Sequence, residues 1–287
     1  MFAIIGIVVV IGAIIGGYLM EQGVLAVLIQ PAELVIIGGA ALGTLFIANP
    51  LPTIVKVFTG LIAVMKGSRY NQALYLETLR MMNALFLSAR KNGATKLEAD
   101  IEDPDKSDVF SKFPGFLKDH HAVDFLCDTI RMSVSGGVDP FMLDQMMELD
   151  MEVHHHGSTE PVGALSAVAD SLPGLGIVAA VLGVVITMGS LGGPPEEIGH
   201  KVGAALVGTF LGILLCYGFL APLASNMTKI NDSENAYYNV LRVGLIAYIK
   251  GNAPILSTEF ARRAIPHGTR PTFKEMEAAC KGGAAPA

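Results

Sequence analysis

The chain has 287 residues, 52% of them apolar, a formal net charge of −6 and a mean hydropathy of +0.51. That hydropathy excludes an ordinary soluble domain, and the mixed acidic charge excludes a basic nucleic-acid surface. Cys127 and Cys280 lie in polar segments and Cys216 in an apolar run, so they predict no disulfide framework.

In chain order, the first apolar run is Phe2–Met20. It lacks a basic n-region and a small-residue cleavage site, so it reads as a retained span and not a signal peptide. Leu34–Ala48 is the second span, interrupted early by Asn49-Pro50-Leu51-Pro52. It reaches span length only if the helix continues past Pro50 through Val57. Residues 51–170 then read as helical and polar. A helix over 68–92 starts at a Ser68 or Asn71 cap and stops at Gly93, and residues 101–114 form a loop. A second helix covers Phe116–Ser135, and a third starts at Asp139-Pro140 and leads through His154 toward the third span. These helices are expected to pack on one another without a large core of their own.

Leu172–Leu191 and Val202–Leu223 are the third and fourth spans. Neither contains Asp, Glu, Lys or Arg, and each carries a proline near the same end, Pro173 and Pro222. The pair predicts helices that bend. The tail continues the fourth span to about Lys250, adds a short helix around Ser257–Ala264, and is expected to be disordered from Lys281. The division is therefore 1–50 for spans one and two, 51–170 for a helical cytoplasmic domain, 171–223 for spans three and four, and 224–287 for a cytoplasmic tail. The fold class is all-α, a polytopic membrane protein with four transmembrane helices and a helical cytoplasmic domain.

Basic residues set the orientation. Residues 51–170 hold eleven of the 20 Lys+Arg and residues 224–287 hold eight, whereas the loop before span four has only Lys201. The positive-inside rule makes 51–170 and both termini cytoplasmic, with the loops 22–32 and 192–199 outside.

Small-residue patterns recur at Gly12/Gly16, Gly39/Gly43 and Gly208/Gly212; each alone predicts helix packing within the chain, and together they favour tight assembly of a ring of subunits without giving its number. A proton path through a membrane needs an ionisable relay, yet no carboxylate lies at the centre of a span. Either the chain conducts nothing, or a partner supplies the carboxylate and Thr209 faces it. Read alone, Thr209, Thr44 and Thr187 bond to their own helix carbonyls. Asp170 is a helix-end charge or a mouth residue, and Glu33 an interfacial residue on the outer side. His154-His155-His156 cannot converge on one ion from a helix, so they read as a solvated helix end with no metal site. No phosphate loop, nucleophile triad or metal spacing supports an enzyme, and no cofactor is implied.

These stretches together resemble the MotA family of flagellar stator subunits. The resemblance rests on Gln30-Pro31-Ala32-Glu33-Leu34-Val35-Ile36-Ile37, on Asp170-Ser171-Leu172-Pro173 followed by Gly176–Val181, and on Val207–Leu215 with Tyr217-Gly218-Phe219 and Pro222. Ser88-Ala89-Arg90-Lys91 and Leu97–Pro104 resemble the family's charged, rotor-facing region.

The resemblance implies an ion-driven motor in the bacterial inner membrane: a homo-oligomer, a pentamer around two copies of MotB, pushing the rotor protein FliG. MotB, a single-span, peptidoglycan-binding protein, would supply the missing aspartate. Moving one charge through 100 mV supplies about 2.3 kcal/mol. On this resemblance Pro173 and Pro222 couple protonation to conformational change, Thr209 faces the partner aspartate, and Arg90 and Glu98 contact FliG. Sodium-driven relatives carry a threonine where this chain has Ala180, whose methyl cannot coordinate sodium, so the implied coupling ion is H+. The alternatives are an ExbB/TolQ-like energiser, disfavoured by two spans before the large polar segment, and a non-conducting scaffold.

Overall fold

The structure, a computed structural model, describes residues 2–189, 192 and 194–281. All regular elements among them are helical. Helix α1 is Phe2–Met20; the single turn α2, Leu25–Leu28, is followed by α3, Pro31–Ala48, and α4, Leu51–Lys66. The chain does not stay helical past Pro50. Asn49 and Pro50 are extended (φ −133°, ψ 145° and φ −70°, ψ 155°), because the proline ring disfavours helical backbone at the residue before it. The second span gains its length at the other end instead, as an apolar stretch from Leu25 to Ala48.

Helix α5, Gln72–Asn92, starts where the Asn71 side chain accepts the Leu74 N–H at 3.0 Å, and ends at Gly93 with φ 80°. An unforeseen helix α6, Ala94–Glu102, runs into the start of the segment expected as a loop, 101–114, which itself holds two 3-10 turns, 104–106 and 110–112. The second predicted helix is split. The short α7, Pro114–Leu117, ends before α8, His120–Val134, whose Asp119 cap accepts the Ala122 N–H. Helix α9 runs unbroken from Pro140 to Met188 through Pro161 and Pro173. Its start is held by Asp139 Oδ1, which accepts the Phe141 N–H at 2.7 Å. Helix α10, Pro195–Ile213, passes through a π-helical stretch, Leu214–Leu220, into α11, Ala221–Ile249, which Gly251 ends with φ 90°. Helices α12, Pro254–Ala264, and α13, Phe273–Cys280, are the last two α-helices among the described residues. The expected disorder from Lys281 falls on residues 282–287, outside the described ones.

The chain divides into two compact units, Met1–Gly67 with Ser158–Ile230 and Ser68–Gly157 with Asn231–Ala287. The first contains the four long apolar stretches. Its buried side chains include Ile37 and Ala41 of α3 and Leu172 and Ala179 of α9. Much of its remaining surface is apolar, for example Val9, Val35, Ile47 and Ile186, as expected of helices bathed in lipid.

The second unit has the largest core of the molecule, which corrects the expectation that its helices lack one. Tyr75, Leu79 and Leu85 of α5, Leu126 of α8, Leu143 of α9 and Tyr237 of α11 are all essentially sealed from solvent. Phe86 and Tyr248 stack with ring centres 4.3 Å apart, and the Thr78 and Tyr237 hydroxyls bond at 2.8 Å. The apolar residues of this core are scattered at helical spacing over many segments from α5 to α13, each too polar to stand out in the sequence.

Candidate functional site

In the first unit the geometry converges on the seam between α9 and α10. A methyl added at Gly176 would lie 2.8 Å from the Gly208 carbonyl oxygen and 3.1 Å from the Gly212 Cα. One added at Gly183 would lie 2.7 Å from the Ala205 Cβ. The two backbones therefore meet along Gly176, Ala179 and Gly183 on one side and Ala205, Gly208 and Gly212 on the other. Small residues are what such an approach requires. The Gly208/Gly212 pattern thus packs within the chain, as its spacing predicts. Gly12, Gly16, Gly39 and Gly43 face no described atom of this chain within 4 Å of an added Cβ.

Ala180 and Thr209 stand at one level of this seam. The Ala180 amide nitrogen lies 3.2 Å from the position of a Gly208 Cβ, Thr209 follows directly, and both residues are half-buried. The Thr44 and Thr187 hydroxyls donate to the carbonyls of Ala41 and Gly183, within their own helices. Asp170 is exposed on α9, just before Pro173.

The two prolines act differently on the backbone. Pro173 cannot donate to the Ala169 carbonyl, yet α9 continues through it. Before Pro222 the turns widen: the Ala221 N–H donates to the Cys216 carbonyl, five residues back. Pro222 has no N–H for the Gly218 carbonyl, and a π-helical stretch is one way a helix accommodates that loss. Neither proline breaks its helix; what each leaves is a missing or shifted backbone bond inside a continuous helical run.

Glu33 is the main departure from expectation in this unit. Its residue is only 6% exposed, and its Oε2 would sit 2.6 Å from a Cβ at Gly208. Among the described residues that oxygen has no hydrogen-bond partner. The absent side chain at Gly208 opens the space, and the first turn of α3 favours a negative charge. Pairing Glu33 with Gly208 requires two helices far apart in sequence, which no local pattern records.

Arg90, in the last turn of α5, and Glu98, on α6, belong to the second unit, and both are exposed. This unit also holds a polar cluster that the sequence did not reveal. His154 lies in the polar part of α9, well before its apolar stretch, and is not a solvated helix end. Its Nε2 is 3.7 Å from Glu234 Oε2 of α11, and its ring packs against those of His121 and Tyr238 at 5.4 and 5.0 Å. The Tyr70 hydroxyl donates to Glu234 Oε1 at 3.0 Å, and Arg69 reaches Asp119 at 2.6 Å. The neighbouring Glu234 carboxylate, at ion-pair distance and not hydrogen-bonded, raises the His154 pKa above its ordinary 6.5, against the opposing effect of burial. Burial pushes Glu234 upward, but the nearby His154 and the hydrogen bond from Tyr70 outweigh it and leave its pKa below 4.5. Among the described residues no group of acidic, histidine or cysteine side chains is placed to hold a metal ion.

Comparison with known proteins agrees with this architecture. Residues 4–93 match the family described as motility protein A N-terminal, and residues 118–239 match the MotA/TolQ/ExbB proton channel family. Motility protein A of Escherichia coli (strain K12) is 38% identical over 277 residues, covering 96% of this chain and 94% of the relative. Chemotaxis protein LafT of Vibrio parahaemolyticus is 34% identical, covering 95% and 96%. Among solved structures, the flagellar MotAB stator complex from Bacillus subtilis matches with a TM-score of 0.73 at 25% identity, covering 90% of this chain and 92% of that one. The C. jejuni MotAB structure matches in fold, with a TM-score of 0.77 at 19% identity and coverage of 94% and 98%. With sequence identity sustained from end to end and four long apolar helices in the same fold, the chain belongs to the MotA family and is a flagellar motor stator subunit.

Proposed function

We propose that this chain assembles with a MotB-type partner in the bacterial inner membrane and converts proton flow into torque on the rotor protein FliG. The observation that carries this reading is the 38% identity to a motility protein A along 96% of the chain. The match of residues 4–93 to the motility protein A N-terminal family favours the stator over an ExbB/TolQ-like energiser. A solved relative is described as a MotAB stator complex, which supports a MotB partner and an oligomer. Five copies around two MotB chains, with both termini cytoplasmic, is the assembly we adopt.

In this mechanism the partner's aspartate meets the α9–α10 seam beside Thr209 and Ala180, and Asp170 marks the cytoplasmic mouth. Protonation neutralises the aspartate and removes the electrostatic cost of holding a charge in the membrane. The helices carrying Pro173 and Pro222 then exchange between two arrangements, because missing amide donors lower the cost of bending there. Exposed Arg90 and Glu98 pass the movement to FliG through charge pairing. The chemistry asked of this chain is positioning and conformational change.

Deletion of the gene tests the reading. Cells should keep their flagella and lose swimming, and expression from a plasmid should restore it. Normal swimming in the deletion strain would overturn the proposal.

A further inference from the structure

The prolines sit on the same two continuous helices as the buried polar cluster. Helix α9 contains both His154 and Pro173, and α11 contains both Pro222 and Glu234. Within the second unit, His154 and Glu234 face each other across these helices, with 30% and 20% of their side chains exposed. We propose that His154 is a proton-dependent positioning residue: paired with Glu234 as an imidazolium, it clasps α9 to α11, and the clasp weakens as the surrounding solution becomes alkaline. The link to torque rests on the stator reading above; the clasp itself does not.

Three observations carry this. First, the Glu234 carboxylate is held from another side by the Tyr70 hydroxyl, so it is prepositioned whether or not His154 is charged. Second, every element packed around His154 contributes acceptors or negative charge. Helix α8 and its cap bring Asp119, Asp124 and Asp128 with His121; α9 itself brings Asp150; α11 brings Glu234 and the Tyr238 hydroxyl. The cations nearby already have carboxylate partners: Arg69 is bound to Asp119, and Arg131 to Asp128, both at 2.6 Å. This environment favours the charged imidazole over the neutral one. Third, a cavity of 220 Å³ lined by His121, Asp124, Asp150, His154 and Tyr238 gives solvent protons a route to the ring.

The sign follows directly. A histidine whose pKa is raised on folding contributes its full pairing energy below about pH 6.5 and loses it as pH rises through the folded value. Glu234, with its pKa lowered, stays ionised throughout that window.

The test is hydrogen–deuterium exchange on the full-length chain in the membrane complex purified from its native cell, between pH 6 and 8.5, corrected for intrinsic exchange. Protection of the amides near 150–157 and 231–238 should fall roughly two- to five-fold in the wild type, the scale of a partly exposed ion pair. His154→Gln should show the low protection at every pH, and His154→Lys the high protection at every pH. Glu234→Gln should abolish the pH dependence as well. An unchanged pH dependence in His154→Gln would overturn the clasp. Motor torque measured with the cytoplasmic pH clamped separates the second claim. The ratio of wild-type to His154→Lys torque should decline toward alkaline pH, and a constant ratio beside a positive exchange result would remove the link to torque while leaving the stator assignment to the deletion test.

Discussion

At Gly212 the absence of a side chain decides how closely two helices meet. A methyl there would sit 2.5 Å from the Leu172 carbonyl oxygen and 2.9 Å from the Gly176 Cα, both backbone atoms that cannot rotate away. Helix propensity alone favours alanine over glycine by about 1 kcal/mol. Gly212→Ala should nevertheless destabilise the protein by about 1–3 kcal/mol, the cost of overpacking a tight contact. Gly39→Ala, which meets no described atom, should be neutral or slightly stabilising. Thermal unfolding of the two variants in detergent reads the contrast, and equal melting temperatures would show that the seam is not tight. Sequence offered both glycines as members of identical small-residue patterns. Only the fold separates the one that touches a neighbour from the one that does not, because a pattern of spacing defines a helix face but not what that face meets.

Among the elements, α9 and the α10–α11 pair carry the functional argument. Their prolines are visible in the sequence, and so are the caps at Asn71, Gly93 and Asp139, since each acts on the backbone within a turn of itself. The short helices α6 and α13 were not anticipated. Elements of eight or nine residues gain little from propensity and depend on packing against larger neighbours. Pro222→Ala supplies the missing donor to the Gly218 carbonyl, and the π-helical stretch 214–220 should tighten to α-helix. We expect Pro222→Ala and Pro173→Ala alike to leave assembly intact and to abolish torque. Size-exclusion chromatography of the purified complex and the rotation of tethered cells provide the two measurements. Loss of assembly in either variant would make that proline structural instead.

For the whole molecule, the apolar surface of one unit and the sealed core of the other describe a chain that lives in two solvents. The coupling ion is a property of this scale, because an ion must cross the entire assembly. In the proposed mechanism Ala180 offers a methyl, in place of a sodium-coordinating hydroxyl, near Thr209, and proton coupling is the expected outcome. Swimming speed should be unchanged when potassium replaces sodium in the medium; a loss of motility would point to sodium. The number of spans and the family were legible from hydropathy and long local motifs. All of these depend on residues near one another in the chain, or on sums over segments. The burial of Glu33 beneath Gly208, the approach of His154 to Glu234 and the core of the second unit were decided by the tertiary structure alone. Each brings together residues from separate helices, and the energy of burying or pairing a group depends on neighbours that sequence spacing does not name.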